Sequence, residues 1–390
     1  MPLPDISRAS ARISSPSLPF PLAVFARFWY FPGVDETAFR ALVSGDRRGP
    51  AAAGHRAVLW LLKWAYHAAV AARNFGYRSG ALRSYRVAVP VISIGNLTTG
   101  GTGKTPLVAW LANHLADTGH SVGLLSRGYR GNQGDRGEAD EGGNDEKRLL
   151  ESLCPTVPHV QDPDRVAAAS QAVTRHGCDV LLLDDGFQHR RLVRDLDIVL
   201  VDATCPFGFG HLLPRGLLRE PPASLKRASL LVLTRIDQVD SADASRLRHQ
   251  LETCFGTDAI AEVAFPASGL VNSRGTTAPL QLLAQSRVAA FCGIGNPEAF
   301  RAGLDPVAHR DFPDHHCYDD GDLAELADWA NRHRADLLLT TRKDLVKIPH
   351  DQLGQTPLWA IDITVEWISG KDVLQEAVAA VLDRPSPSGD

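Results

Sequence analysis

The sequence predicts an α/β protein: a doubly wound, mostly parallel sheet, joined to a second, smaller α/β domain and preceded by a membrane-surface helix. Three observations carry this expectation. From Val87 onward, short runs of apolar and β-branched residues alternate with segments of helical periodicity, which is the grammar of strand–helix–strand units. That grammar lapses in a turn-rich stretch at 266–286 and restarts at VAAFCGIGNPEAF (288–300). Ahead of both units, RAVLWLLKWAYHAAVAAR (56–73) is helical and mostly apolar, inside a segment whose charges are all positive.

Composition bounds the function. A chain of 390 residues with 44% hydrophobic and 22% charged residues resembles an ordinary globular protein of two or three domains. Its net charge of −4 argues against a nucleic-acid partner, which would call for a basic face. The six cysteines are scattered without a CxxC pair, so neither zinc spacing nor a disulfide framework is indicated, and reduced thiols in the cytosol are expected.

The elements follow in order. Residues 1–50 form an N-terminal extension rich in Pro, Ser and Arg, its first fifteen residues expected to be disordered. The apolar stretch Phe20 to Tyr30 is broken by Pro21 and Arg27, unlike a signal peptide. Residues 51–86 are the basic amphipathic region; from Arg47 to Arg86 the charges are Arg47, Arg48, Arg56, Lys63, Arg73, Arg78, Arg83 and Arg86, with no acid among them. Trp60 and Trp64 in that setting suit a helix lying on an anionic bilayer. A buried helix with a basic rim has the same periodicity and stays open at this point. Residues 87–285 make the main domain, with strands expected at VAVPVISIGNL, VGLLSRGY, CDVLLLDDG, DIVLVDA and SLLVLTRID. Continuous apolar runs of this kind belong to buried parallel strands. Residues 286–380 make the smaller domain, from VAAFCGIGNPEAF through DLAELADWANRH and ADLLLTTRKD to LWAIDI. The tail 381–390 is expected to be disordered.

The strongest chemical signal is NLTTGGTGKTP at 96–106, placed between an expected strand and an expected helix. Backbone N–H groups of Thr99, Gly100, Gly101, Thr102 and Gly103 can wrap an anion there, with the helix N-terminus adding partial positive charge. Lys104 would reach the β- and γ-phosphates of ATP, and Thr105 would ligate Mg²⁺. Thr98 stands where the strict P-loop pattern has its first glycine. The loop makes the first domain of P-loop NTPase type. VLLLDDG ends in Asp184 and Asp185, paired carboxylates suited to Mg²⁺; Asp202, ending DIVLVDA, is a rival.

Further motifs occur in order: LSRGYRG (125–131), DDGFQHRRL (184–192), GFGHLLPRGLLREP (208–221), GIGNPEAF (293–300) and FPDHHCY (312–318). Together with ARNFGYRSGAL ahead of the loop, this set resembles the tetraacyldisaccharide 4'-kinase family over residues 57–370. The resemblance implies transfer of the γ-phosphate of ATP to the 4'-hydroxyl of a lipid-linked disaccharide 1-phosphate. It also implies a two-domain cleft and a peripheral place on the cytoplasmic face of the bacterial inner membrane. A monomer acting at an anionic membrane surface is expected.

The matching positions imply roles. Asp145 in GGNDEKRLL would accept the sugar hydroxyl proton, with Glu146 assisting the metal; Asp140 and Glu141 are the fallback pair, and a plain helix cap is the alternative for Asp145. His315 matches the histidine that pairs with the catalytic aspartate, although His316 is adjacent. Asn96, Gln188, His189, Arg219 and Glu220 would contact substrate, Arg219 also stabilising the transferring phosphoryl group; Arg127 and Arg130 are further anion-binding candidates. TTRKD (340–344) is assigned no catalysis. Two other classes compete. TRID at 234–237 partly matches the Asn-Lys-x-Asp guanine-reading motif, which would suit a GTPase or metal chaperone. A membrane-bound ATP-binding scaffold without turnover is the third class.

Overall fold

The structure, a computed structural model, describes residues 36–128, 145–256, 258–295, 297–301 and 303–384. The segment expected to be disordered at 1–15 lies outside the described residues, as do Arg130, Asp140, Glu141 and residues 385–390 of the tail expected at 381–390. The start of that tail is ordered instead, Val381 and Leu382 closing the last helix with Val381 buried in the core. Two helices open the described chain, α1 (Glu36–Ser44) and the 29-residue α2 (Pro50–Arg78). Proline in the first turn of α2 starts it without loss, because that N–H has no intrahelical partner anyway.

The first sheet is then laid down by β1 (Val91–Asn96), α3 (Lys104–Asp117), β2 (Val122–Ser126), α4 (Asp145–Leu153), β3 (His159–Gln161), α5 (Arg165–His176), β4 (Val180–Asp184), β5 (Leu196–Asp202), β6 (Leu230–Thr234), α6 (Ser241–Phe255) and β7 (Ile260–Ala264). The second sheet is built by β8 (Ala267–Val271), β9 (Thr277–Ala278), α7 (Gln281–Ala284), β10 (Val288–Cys292), α8 (Pro297–Arg301), β11 (Ala308–Asp311), α9 (Asp320–Arg332), β12 (Leu337–Thr341), α10 (Arg342–Leu345), β13 (Gln352–Leu353) and β14 (Thr356–Ile363). The chain ends with β15 (Glu366–Ser369) and α11 (Lys371–Leu382).

The first sheet runs β15-β7-β6-β5-β1-β4-β2-β3, parallel except for β15. Strands β1, β2, β4, β5 and β6 are buried at every position, so both faces are covered. Alternation decides which face each side chain serves. Ile92, Ile94, Leu182 and Val232 pack with Leu107 and Leu111 of α3 and Leu374 and Val378 of α11. Val91, Leu181 and Leu183 meet Ala168 and Ala172 of α5, and Val199 and Leu231 meet Tyr66 and Val70 of α2. Strand β1 lies between β4 and β5, while the helix that follows it leads to β2 beyond β4. Such reversals of strand order place ligands at the carboxyl ends of the strands.

The second sheet runs β11-β10-β12-β14-β8-β9, with β13 on β14. Its division from the first differs from the expected boundary at 285. Ala267–Val271 and Thr277–Ala278 already belong to the second sheet, and Glu366–Ser369 with Lys371–Leu382 return to the first. Pairing partners decide this: β8 hydrogen-bonds to β14, about ninety residues onward in the chain, and no local pattern reports such a choice.

Candidate active site

The carboxyl end of β1 turns into the glycine-rich loop, and each part of the loop is held from outside. Asn96 Nδ2 donates to Thr102 Oγ1 at 3.0 Å, Thr234 Oγ1 donates to the Thr102 carbonyl at 3.0 Å, and the Thr99 N–H donates to the Leu217 carbonyl at 2.8 Å. Arg235 pairs with Asp202 and donates to the Gly101 carbonyl, so the end of β6 braces the loop. Gly103 is required by shape: its φ is +82°, and a Cβ there would fall 2.3 Å from the Phe265 ring. Lys104 and Thr105 open α3, which points its N-terminus at the loop.

Beside the loop, β4 delivers the two aspartates. Asp184 pairs in register with Ile94. It is buried, and among the described residues its Oδ1 has no hydrogen-bond partner. Burial, then the Glu146 charge, push its carboxyl up to about 7. Asp185 behaves oppositely. Burial alone would raise it, but Arg219 and then Lys104 hold it well below the ordinary carboxylate range. Arg219 Nη1 lies 2.8 and 2.7 Å from the two Asp185 oxygens and 3.3 Å from Gln188 Oε1. Lys104 Nζ is 3.6 Å from Asp185 and 3.3 Å from Asn96 Oδ1. Gln188 Nε2 closes the ring onto the Asn96 carbonyl at 2.9 Å. Asn96, Lys104, Asp184, Asp185, Gln188 and Arg219 therefore form one constellation at the loop. His189 stands next to it, kept neutral by burial and by Arg165, which lower its pKa to about 3.

The rival acid Asp202 is engaged by Arg235 and by Thr204, whose hydroxyl donates to it at 2.7 Å. Glu220 requires a correction. Expected at substrate, it is fully buried and accepts from Arg73 at 2.6 Å and Asn74 at 3.0 Å, with Arg227 at 3.0 Å. It ties α2 to the body of the domain, and only the fold could bring Arg73 and Asn74 to a residue so distant in sequence.

The second sheet supplies the opposite wall. Asp145, the first residue of α4, is buried, and its Oδ2 lies 3.5 Å from His315 Nδ1 and 3.4 Å from Lys347 Nζ. Helix α4 packs on α3 from one side and on α10 from the other, and the Glu146 charge reaches Asp184. The adjacent histidines have separate places. His315, at φ +60°, faces Asp145, with Lys343 Nζ 3.3 Å from its Nε2. His316 stacks on Phe312 and meets Asp322 at 2.7 Å.

Sequence reasoning missed three contributors. Arg165 is buried near the Asp184, Asp185 and Arg127 charges. Asp344 is fully buried and accepts from the Gly293 N–H at 3.0 Å. Lys347 bridges Asp344 and Asp145. Lys347 had one legible signal, a lone charge inside the apolar string LVKIP.

The arrangement fits a nucleotide phosphate chain on the loop. The residues also fit a divalent cation, which Asp184 would hold with Thr105 and Asp185, since among the described residues the buried Asp184 Oδ1 accepts no hydrogen bond. Among the described residues no group of three or more His, Cys, Asp or Glu forms a metal cluster; Mg²⁺ typically needs only one or two carboxylates beside phosphate oxygens.

Comparison with known proteins is consistent across sequence and structure. The family model described as Tetraacyldisaccharide-1-P 4'-kinase matches residues 55–383. A tetraacyldisaccharide 4'-kinase of Anaeromyxobacter sp. (strain Fw109-5) is 39% identical over 354 residues, covering 87% of this chain and 95% of the relative. One from Syntrophus aciditrophicus is 39% identical over 322 residues, covering 74% and 83% respectively. The crystal structure of LpxK from Aquifex aeolicus in complex with ATP aligns at a TM-score of 0.66 and 30% identity, covering 84% of this chain and 99% of that one.

Proposed function

The chain belongs to the tetraacyldisaccharide-1-P 4'-kinase family, and on that footing we propose that it transfers the γ-phosphoryl group of ATP to the 4'-hydroxyl of a tetraacyldisaccharide 1-phosphate. The observation that carries the reading is the pairing of Asp145 with His315 across the two sheets, beside the phosphate loop. Phosphoryl transfer needs positioning, charge stabilisation and a proton acceptor, and little covalent chemistry. The loop 99–105 cradles the phosphates. Lys104 and Arg219 meet charge on the transferring group. Asp145 takes the hydroxyl proton as the sugar oxygen bonds to phosphorus and the bridging oxygen departs with ADP, and His315 orients that carboxylate. Asp184, Thr105 and Asp185, with Glu146 nearby, are the residues that would hold Mg²⁺, which when bound neutralises the β- and γ-phosphate oxygens.

The substrate is a lipid, and the first domain offers a surface for it. Val58, Trp60, Leu61, Trp64 and Phe75 of α2 are all exposed, with Lys63 over both tryptophan rings. Among the described residues no helix is long and apolar enough to cross a membrane. We place α2 on the anionic cytoplasmic leaflet of the bacterial inner membrane, the enzyme acting as a monomer, with the sugar head in the cleft. The guanine-reading alternative is weaker, because Arg235 of TRID braces the loop and Thr234 stands where the amide side chain would be.

The test follows label from γ-phosphate ATP into detergent-dispersed tetraacyldisaccharide 1-phosphate. Labelled lipid with wild type and almost none with Lys104→Ala or Asp145→Ala is expected. Steady nucleotide hydrolysis without labelled lipid, or a clear preference for GTP, would overturn the reading.

A further inference from the structure

Lys347 is 4% exposed and lies between two carboxylates that are buried more deeply still. Its Nζ donates to Asp344 Oδ1 at 3.2 Å and to the His316 carbonyl at 3.0 Å, and it stands 3.4 Å from Asp145 Oδ2 as an ion pair, that buried oxygen having no hydrogen-bond partner among the described residues. The two carboxylates belong to different sheets: Asp145 opens α4, and Asp344 lies on α10. Asp344 is itself fixed, accepting from the Gly293 N–H at 3.0 Å and the Thr341 hydroxyl at 2.7 Å. The ammonium therefore stands on a rigid frame made by the ends of β10 and β12. A lysine so deeply buried is rare unless paired, and here the pairing crosses from one sheet to the other.

We infer that Lys347 is a positioning residue for the phosphoryl transfer, setting the Asp145 carboxylate from the second lobe so that the proton acceptor is in place only when the two lobes are docked. The inference rests on the proposed role of Asp145. His315 contacts the same oxygen but is half-exposed, so it guides the carboxylate from the solvent side while Lys347 fixes it from within. Among the described residues the polar and ring partners of Lys347 are His316, Asp344, Asp145 and Tyr318, none of them in the phosphate loop.

The experiment uses the full chain and measures kcat, KM for ATP and melting temperature in Lys347→Met, Lys347→Arg, Lys347→Met/Asp344→Asn and Asp145→Asn. Lys347→Met is expected to lose about 100-fold in kcat, the scale of a misplaced catalytic group, with KM for ATP within about twofold of wild type. It also loses melting temperature, because two buried carboxylates are left with less positive charge. Lys347→Arg keeps the charge and recovers much of the lost kcat. Adding Asp344→Asn to Lys347→Met removes the surplus charge, so melting temperature rises again while kcat stays low. Recovery of kcat together with stability in the double variant would show that Lys347 only neutralises Asp344, and would overturn the inference. Wild-type turnover in Lys347→Met alongside an inactive Asp145→Asn would overturn it alone; wild-type turnover in Asp145→Asn would remove the proton-acceptor reading as well.

Discussion

Replacing Glu220 by glutamine removes one negative charge from a site closed to water, where two guanidinium groups depend on it. Glu220 is fully buried, with Arg73 at 2.6 Å and Arg227 at 3.0 Å. Burial by itself would raise the carboxyl, but Arg227 and Arg73 lower it, so it is held ionised. At these separations each pair has a gross attraction of about 6 kcal/mol at an effective dielectric constant of about 20. Glutamine escapes the carboxylate's desolvation cost, several kcal/mol, but turns an amide edge toward donors and leaves two partly buried guanidiniums uncompensated. The net loss is about 3 kcal/mol, the lower end for a broken buried ion pair. At roughly 2–4 °C per kcal/mol for domains of this kind, the melting temperature should fall by about 6–12 °C. Calorimetry and urea unfolding of Glu220→Gln beside wild type measure it, with KM for ATP and lipid recorded on the folded protein. A melting temperature within about 1 °C of wild type, with KM for lipid raised, would refute the reasoning and return Glu220 to the substrate.

Three further outcomes are expected. Trp60→Ser/Leu61→Ser/Trp64→Ser removes exposed side chains from α2, so melting should barely move while partitioning onto anionic vesicles drops by about 1000-fold, from about 1.5 kcal/mol per side chain; unchanged partitioning would deny the membrane role. His315→Ala should lower kcat by about 100-fold, whereas His316→Ala, losing the stack on Phe312 and the Asp322 contact, should mainly lower stability; the reverse pattern would exchange their roles. His159 is lowered from 6.5 to about 4, by burial first and then Lys147, so between those values the unfolded chain binds the extra proton. Stability is complete above pH 6.5 and falls toward pH 4, by about 1.4 kcal/mol per pH unit from this group. Urea unfolding across that range should show a shallower fall in His159→Gln, and an unchanged slope would exclude His159 as its source.

Much of the candidate site was legible because it is local. The loop at 96–106 carries its glycines, lysine and threonine in one string, and its function requires that contiguity: successive N–H groups can surround an anion only when they are neighbours in the chain. The aspartates after LLL were legible for the same reason, since a buried strand must end where its carboxylates begin. The choice between His315 and His316 was not legible. Adjacent residues differ in direction, and direction is set by the turn at φ +60° and by the aromatic shelf of Phe312. Glu220 could not be placed either, because its partners are the guanidiniums of Arg73 and Arg227 and the amide of Asn74, two of them about 150 residues away in the chain.

By itself the sequence determined the alternation of strands and helices, the phosphate loop, the paired aspartates and the apolar, basic character of α2, all of which depend on near neighbours and on hydrophobic period. The tertiary structure decided which strands share a sheet, that the chain returns to the first sheet through β15 and α11, and that Lys347 and Asp344 meet Asp145. The physical reason is the same in each case. Pairing and ion contacts between distant segments depend on how both partners are buried together, and burial belongs to the folded chain as a whole.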